Sequence, residues 1–65
     1  MKIEEAAHPP SGLRYELHRH GISTQPVYFL EIYDASNTML VEETFTNKND
    51  ARDYWRDYIK ESGNE

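Results

Sequence analysis

The chain has 65 residues, with 7 Lys and Arg against 12 Asp and Glu, a net charge of −5, 37% hydrophobic residues and no cysteine. That length has room for one domain, which buries only about 60% of the surface its unfolded chain exposes, and without cysteine neither disulfides nor a thiolate zinc site can reinforce it. The acidic balance repels phosphate backbones at long range, and no apolar run approaches the roughly 20 residues of a membrane helix, so we expect a cytoplasmic protein with no membrane association.

The opening segment "MKIEEAAHPPSG" has acids and prolines where a signal peptide would need an apolar core. Pro9 and Pro10 forbid a continuing helix, and Ser11 and Gly12 mark a loop. Residues 1–12 are therefore expected to form a flexible N-terminal arm, in which "IEEAA" is the part able to dock as a short turn or an extra strand.

From Leu13 the pattern has a period of two. In "LRYELHRH", Leu13, Tyr15 and Leu17 face one way, and Arg14, Glu16, His18 and His20 the other, as in a half-buried strand. "GISTQP" reads as a loop punctuated by Gly21 and Pro26. "VYFLEIYD" is the second strand, with Tyr28, Leu30 and Ile32 on one face and Val27, Phe29, Glu31 and Tyr33 on the other. "ASN" reads as a tight hairpin loop before the third strand, "TMLVEETFT", where Met39, Val41 and Phe45 share a face. Glu43 falls on that face too, which predicts a position near the strand end or a bulge that turns it outward.

The last element is a helix. Thr46, Asn47 or Asn49 can cap it, and Asp50 in the first turn complements its dipole. Ala51, Tyr54, Trp55, Tyr58 and Ile59 form one buried stripe, and Lys60 and Gly63 are its stop signals. Pressing the two apolar sides together predicts an α+β domain: a three-stranded antiparallel β-meander with one C-terminal α-helix on one face (βββα), spanning 13–62, with 63–65 as a tail. The expected core is Leu13, Tyr15, Leu17, Tyr28, Leu30, Ile32, Met39, Val41, Phe45, Ala51, Tyr54, Trp55, Tyr58 and Ile59.

One helix covers one sheet face and leaves the other open. That open face displays Val27, Phe29, Tyr33 and Leu40 among charged residues, the composition of a contact surface rather than of a purely solvated one. The partner-binding candidates are Phe29, Tyr33, Leu40, Val27, His18, His20, Glu31 and Glu42. The expected function is a non-catalytic protein-interaction module that binds a protein partner or a second copy of itself, as a homodimer, an adaptor or an acidic inhibitor. The plainer account is that these residues are ordinary cross-strand neighbours, each pair stabilising the sheet by a few tenths of a kcal/mol.

Other chemistry has less to stand on. Glu16, His18 and His20 share a strand face at a spacing that can reach one divalent ion, with His8 as a remote fourth ligand, but no second ligand pair completes a site, and no metal or cofactor is expected. The serines at 11, 23, 36 and 62 have no evident base beside them, and the glycines at 12, 21 and 63 are too scattered for a phosphate loop, so no enzyme is expected. On the helix exterior Lys48, Arg52, Arg56 and Lys60 form a basic row. It reads as a solvated face on which Asp53 pairs with Arg56 and Asp57 with Lys60.

In topology, "EIYD" followed by "TFTNKNDARDYW" resembles the plant ethylene-response-factor DNA-binding domain, the arm-binding domains of phage integrases and the small bacterial YegP-type domains, over about Arg14 to Lys60. The DNA-binding likenesses imply a sheet that reads the major groove through basic and aromatic side chains. A nucleic-acid-binding domain is thus the alternative function, opposed by the net charge of −5 and by Glu16, Glu31 and Glu42 against Arg14 on that face. An acidic face suits a basic partner, and imitation of nucleic acid is one form this could take.

Overall fold

A computed structural model describes residues 1–62; the expected stop signal at Gly63 and the tail 63–65 lie outside the described residues. Four strands, β1 (Lys2–His8), β2 (Leu13–Ile22), β3 (Gln25–Tyr33) and β4 (Met39–Phe45), form one antiparallel sheet in the order β1-β2-β3-β4. Helix α1 (Lys48–Ser62) follows and lies across β2, β3 and β4 on one face. The α+β class and the C-terminal helix are as expected from the sequence; the strand count is not.

The expected flexible arm is strand β1. It pairs with β2 from Lys2↔His18 to His8↔Leu13, with a register shift between Lys2 and Glu4. The prolines that end a helix here serve a hairpin turn instead, where their fixed φ is an asset and their missing N–H costs no ladder bond. Ser11 and Gly12 N–H groups both donate to the His8 carbonyl, at 3.1 and 3.0 Å, and Gly12 adopts φ +74°. On the helix side, Glu4 ties β1 down. Arg52 donates Nη2 to Glu4 Oε1 at 2.6 Å and Nε to both oxygens at 3.2 Å, and the Tyr15 hydroxyl donates to Oε2. Arg52 therefore leaves the basic row expected of it and becomes the link between helix and first strand.

The strands of the β2–β3 hairpin also run further than the loop signals predict. Gly21 pairs with Pro26 and Ile22 with Gln25, leaving Ser23 and Thr24 as the turn. Gly21 has φ +89°, and a Cβ there would sit 2.7 Å from the Gln25 carbonyl oxygen, so glycine is what lets the two chains close so tightly. Between β3 and β4, Asp34 Oδ1 accepts from the Ser36 and Thr38 N–H groups at 2.9 and 3.0 Å, and Asn37 takes φ +70°. Those hydrogen bonds, the Thr38 N–H first, hold the Asp34 carboxyl below its usual range.

Leu13, Tyr15, Leu17, Tyr28, Leu30, Ile32 and Ala51 are buried, and Val41, Phe45, Tyr54, Trp55 and Tyr58 pack partly buried against them. Ala51, 1% exposed, lets α1 approach the sheet closely; Tyr15 and Trp55 rings meet at 4.8 Å and Phe45 and Tyr54 at 5.7 Å. Met39 is a correction to the expected core, since it is 44% exposed. A register shift pairs it with Tyr33, an open-face residue, and makes Leu40 the extra residue of a bulge. Beyond the bulge Val41, Glu43 and Phe45 stand opposite Ile32, Leu30 and Tyr28, with Glu43 exposed on the uncovered margin of the edge strand. Asn47 is the helix cap: its Oδ1 accepts from Asp50 N–H at 2.8 Å, and its Nδ2 donates back to Asp50 Oδ2 at 3.0 Å.

Candidate functional site on the open sheet face

Alternation puts every second residue of the four strands on the face away from α1, and the hairpin registers decide which of them become neighbours. Glu5 stands opposite Glu16, Glu16 opposite Glu31, and Glu31 opposite Glu42. Four carboxylates therefore form one row across the whole sheet, about 14 Å long at a strand spacing of about 4.8 Å. Like charges placed directly opposite repel one another across a sheet.

Neighbouring side chains offset part of that repulsion. Arg14 Nη1 donates to Glu16 Oε2 at 2.6 Å, and His18 Nε2 lies 3.1 Å from Glu16 Oε1 and 3.2 Å from Glu31 Oε1. The Tyr33 hydroxyl donates to Glu31 Oε1 at 2.7 Å, and the Arg14 guanidinium sits 4.3 Å above the Tyr33 ring. The five side chains thus close a loop, Arg14–Glu16–His18–Glu31–Tyr33–Arg14, and Arg14 also donates to Asn37 Oδ1. Arg14 holds the Glu16 carboxyl below its usual range, and the hydrogen bond to Glu31 pushes the Tyr33 hydroxyl up to about 12. Lys2 pairs with Glu5 at 3.0 Å at the exposed end of the row. Glu42, at the other end, is exposed and makes no ion pair among the described residues.

Beside this loop lies a shallow concavity of about 430 Å³ lined by His18, His20, Phe29, Glu31 and Glu42. Five of the eight candidates from the sequence therefore share one depression. Phe29 forms its apolar floor, with the His20 ring edge-on at 4.9 Å. Val27 pairs with His20 along the same face, Tyr33 belongs to the polar loop, and Leu40, 46% exposed, stands at the bulge outside the concavity.

Some groupings differ from those expected. His20 does not join Glu16 and His18; Glu31, from the next strand, does, and the three offer ligand atoms within 4.8 Å of one another. His8 is hydrogen-bonded to Ser11 at 2.8 Å in the β1–β2 turn, at the far end of the sheet from His18. Of the expected helix pairs, Arg56 and Asp53 meet at 3.5 Å with both side chains well exposed, a geometry that contributes little. Glu5 joins the row only through the register of β1 on β2, which no local pattern in "KIEEAA" specifies.

Compared with protein-family models, with curated proteins and with solved structures, the chain finds no match. The topological likeness to three-strand-plus-helix domains gains nothing from these comparisons, and β1 departs from it. No helix among the described residues is long and apolar enough to cross a membrane.

Proposed function

We propose that the open face is a protein-binding surface of a non-catalytic cytoplasmic module, and that its partner presents basic side chains around an apolar contact. The observation that carries this reading is the four-carboxylate row beside the Phe29 concavity. Four like charges in one row repel one another and add nothing to burial, which suits a contact better than folding. Partly exposed aromatic and aliphatic groups within a charged rim are the composition of such contacts.

The row also bears on which partner. Packing two copies face to face would bring two such rows together in a partly desolvated space, where like-charge juxtaposition costs several kcal/mol. A different, basic protein avoids that cost, and the same electrostatic argument disfavours the nucleic-acid alternative. An inhibitor that competes with nucleic acid for a basic surface is one form of this function.

The test compares capture by the wild-type chain with capture by Phe29→Ser/Tyr33→Ser and Glu31→Lys/Glu42→Lys variants, using Asp57→Lys on the helix exterior as control. We expect a partner lost with both face variants and retained by the control, and sedimentation equilibrium showing a monomer at micromolar concentration. Capture indifferent to the face variants, a dimer that those variants dissolve, or salt-dependent binding of labelled duplex DNA would each overturn the reading.

A further inference from the structure

Within the open face, Glu16, His18 and Glu31 form a grouping that an ion pair does not fully account for. His18 Nε2 is 3.1 Å from Glu16 Oε1 and 3.2 Å from Glu31 Oε1. In the tautomer with its proton on Nε2, His18 has one hydrogen to offer two carboxylates, and the hydrogen-bond geometry gives it to Glu16. Glu31 Oε1 is as near but receives only the Tyr33 hydroxyl. Glu16 also has the Arg14 guanidinium at 2.6 Å, whereas Glu31, with Glu42 next in the row, meets no Lys or Arg among the described residues and has only His18 as an ion-pair partner.

We propose that Glu16 Oε1, His18 Nε2 and Glu31 Oε1 are ligands of a divalent first-row metal ion of the zinc type. Ligand bonds of about 2.0–2.2 Å fit the two separations from His18 Nε2, since arms with ends 3.1–3.2 Å apart subtend roughly 95–100° at the ion; the three ligand atoms lie within 4.8 Å of one another, and side-chain rotation on binding brings the two carboxylate oxygens within the roughly 4 Å that such arms can span. A dication in place of the imidazole proton compensates Glu31, the carboxylate that Arg14 does not pair with. One imidazole with two carboxylates suits zinc better than calcium or magnesium, which take oxygen ligands alone.

The surroundings are those of a supported site. Arg14 occupies the other oxygen of Glu16 and leaves Oε1 turned to His18; on Glu31 the Tyr33 hydroxyl donates to Oε1 itself, so that oxygen keeps one lone pair for the ion. All three ligands stand on the two central strands, the most rigidly positioned part of the sheet. The concavity beside them leaves the remaining coordination positions to water or to the carboxylate of Glu42, which lines it. This site does not depend on the protein-contact reading.

Titration of the full chain with zinc chloride, followed calorimetrically and by the histidine ring signals in NMR, tests the proposal. We expect one equivalent bound with a micromolar Kd, a shift of the His18 ring signals, a higher melting temperature, and no competition from millimolar magnesium. His18→Gln and Glu31→Gln, each checked for native circular dichroism, should weaken binding at least tenfold, whereas His8→Gln and His20→Gln leave it within twofold. Absence of binding at 1 mM zinc, or binding that survives His18→Gln and Glu31→Gln, would overturn it. Phe29→Ser should retain zinc binding while losing the protein contact, which keeps the two readings separable.

Discussion

Leu30 and Glu31 are neighbours on β3, yet their side chains occupy opposite worlds. Leu30 is fully buried against α1 with Leu17 and Ile32, among apolar groups that hydrophobic burial alone holds in place. Glu31 sits half-exposed between two other carboxylates, held by a histidine and a tyrosine. On the helix face apolar neighbours predominate, Glu43 opposite Leu30 being the exception at the edge strand, and on the open face four carboxylates stand in one row held by ionic and hydrogen-bonding partners. The contrast separates a face held by apolar burial from one held by charged and polar pairs.

The largest effects should come from the covered face. Leu30→Ala should cost about 2–5 kcal/mol in chemical denaturation, as for other fully buried leucines. Trp55→Ala follows at about 3 kcal/mol, the lower end for aromatic truncation because Trp55 is only partly buried against Tyr15; an unchanged melting temperature would break the packing account of this face.

Acid should next attack the link between helix and first strand. Arg52, and then Tyr15, hold the Glu4 carboxyl below its ordinary value of 4.5. Its contribution is therefore present above about pH 4.5 and lost as pH falls through the lower folded value. A Glu4→Gln variant should show a shallower loss of stability below pH 4.5 and faster amide exchange in β1, measured by hydrogen exchange across a pH series. At the alkaline end burial and Glu4 push Tyr15 up to about 12, so what Tyr15 adds is present below pH 10 and disappears as pH rises toward 12.

The open face should respond least, and at one position in the opposite direction. Phe29→Ala should lose only about 0.2–1 kcal/mol, the worth of a cross-strand pair. Glu42→Gln should stabilise the domain by about 0.2–1 kcal/mol by removing the unpaired end of the row. A destabilised Glu42→Gln protein would mean that the row supports the fold, and would remove the contrast between the two faces.

Much of the covered face was legible in the chain. The period of two in "LRYELHRH" and "VYFLEIYD" and the period of 3.6 in the helix separate buried from open positions without reference to any partner strand. Asn47 and Asp50 were visible as cap signals because a cap is satisfied within four residues. Met39 failed because a bulge shifts the phase of alternation by one residue; Glu43 signals that a bulge is possible but not that it falls at Leu40, and Glu43 itself stays opposite Leu30. β1 failed because "KIEEAA" has no clean apolar alternation. Its place in the sheet comes from pairing with β2 and from an ionic contact to Arg52, 48 residues away.

The candidate site divides the same way. That His18, Phe29, Glu31 and Glu42 share a face follows from alternation alone, which is a property of each strand by itself. Glu31 rather than His20 beside Glu16 and His18, and four glutamates in one row, follow from register. Register is set by turn length, a bulge and the positive φ of Gly21, and it exists only between strands. The amino-acid sequence alone therefore determined which side of the sheet the residues of β2 and β3 occupy; tertiary structure decided the place of β1, the side of Met39 and which residues touch, because contact across a sheet is a relation between segments that local patterning does not carry.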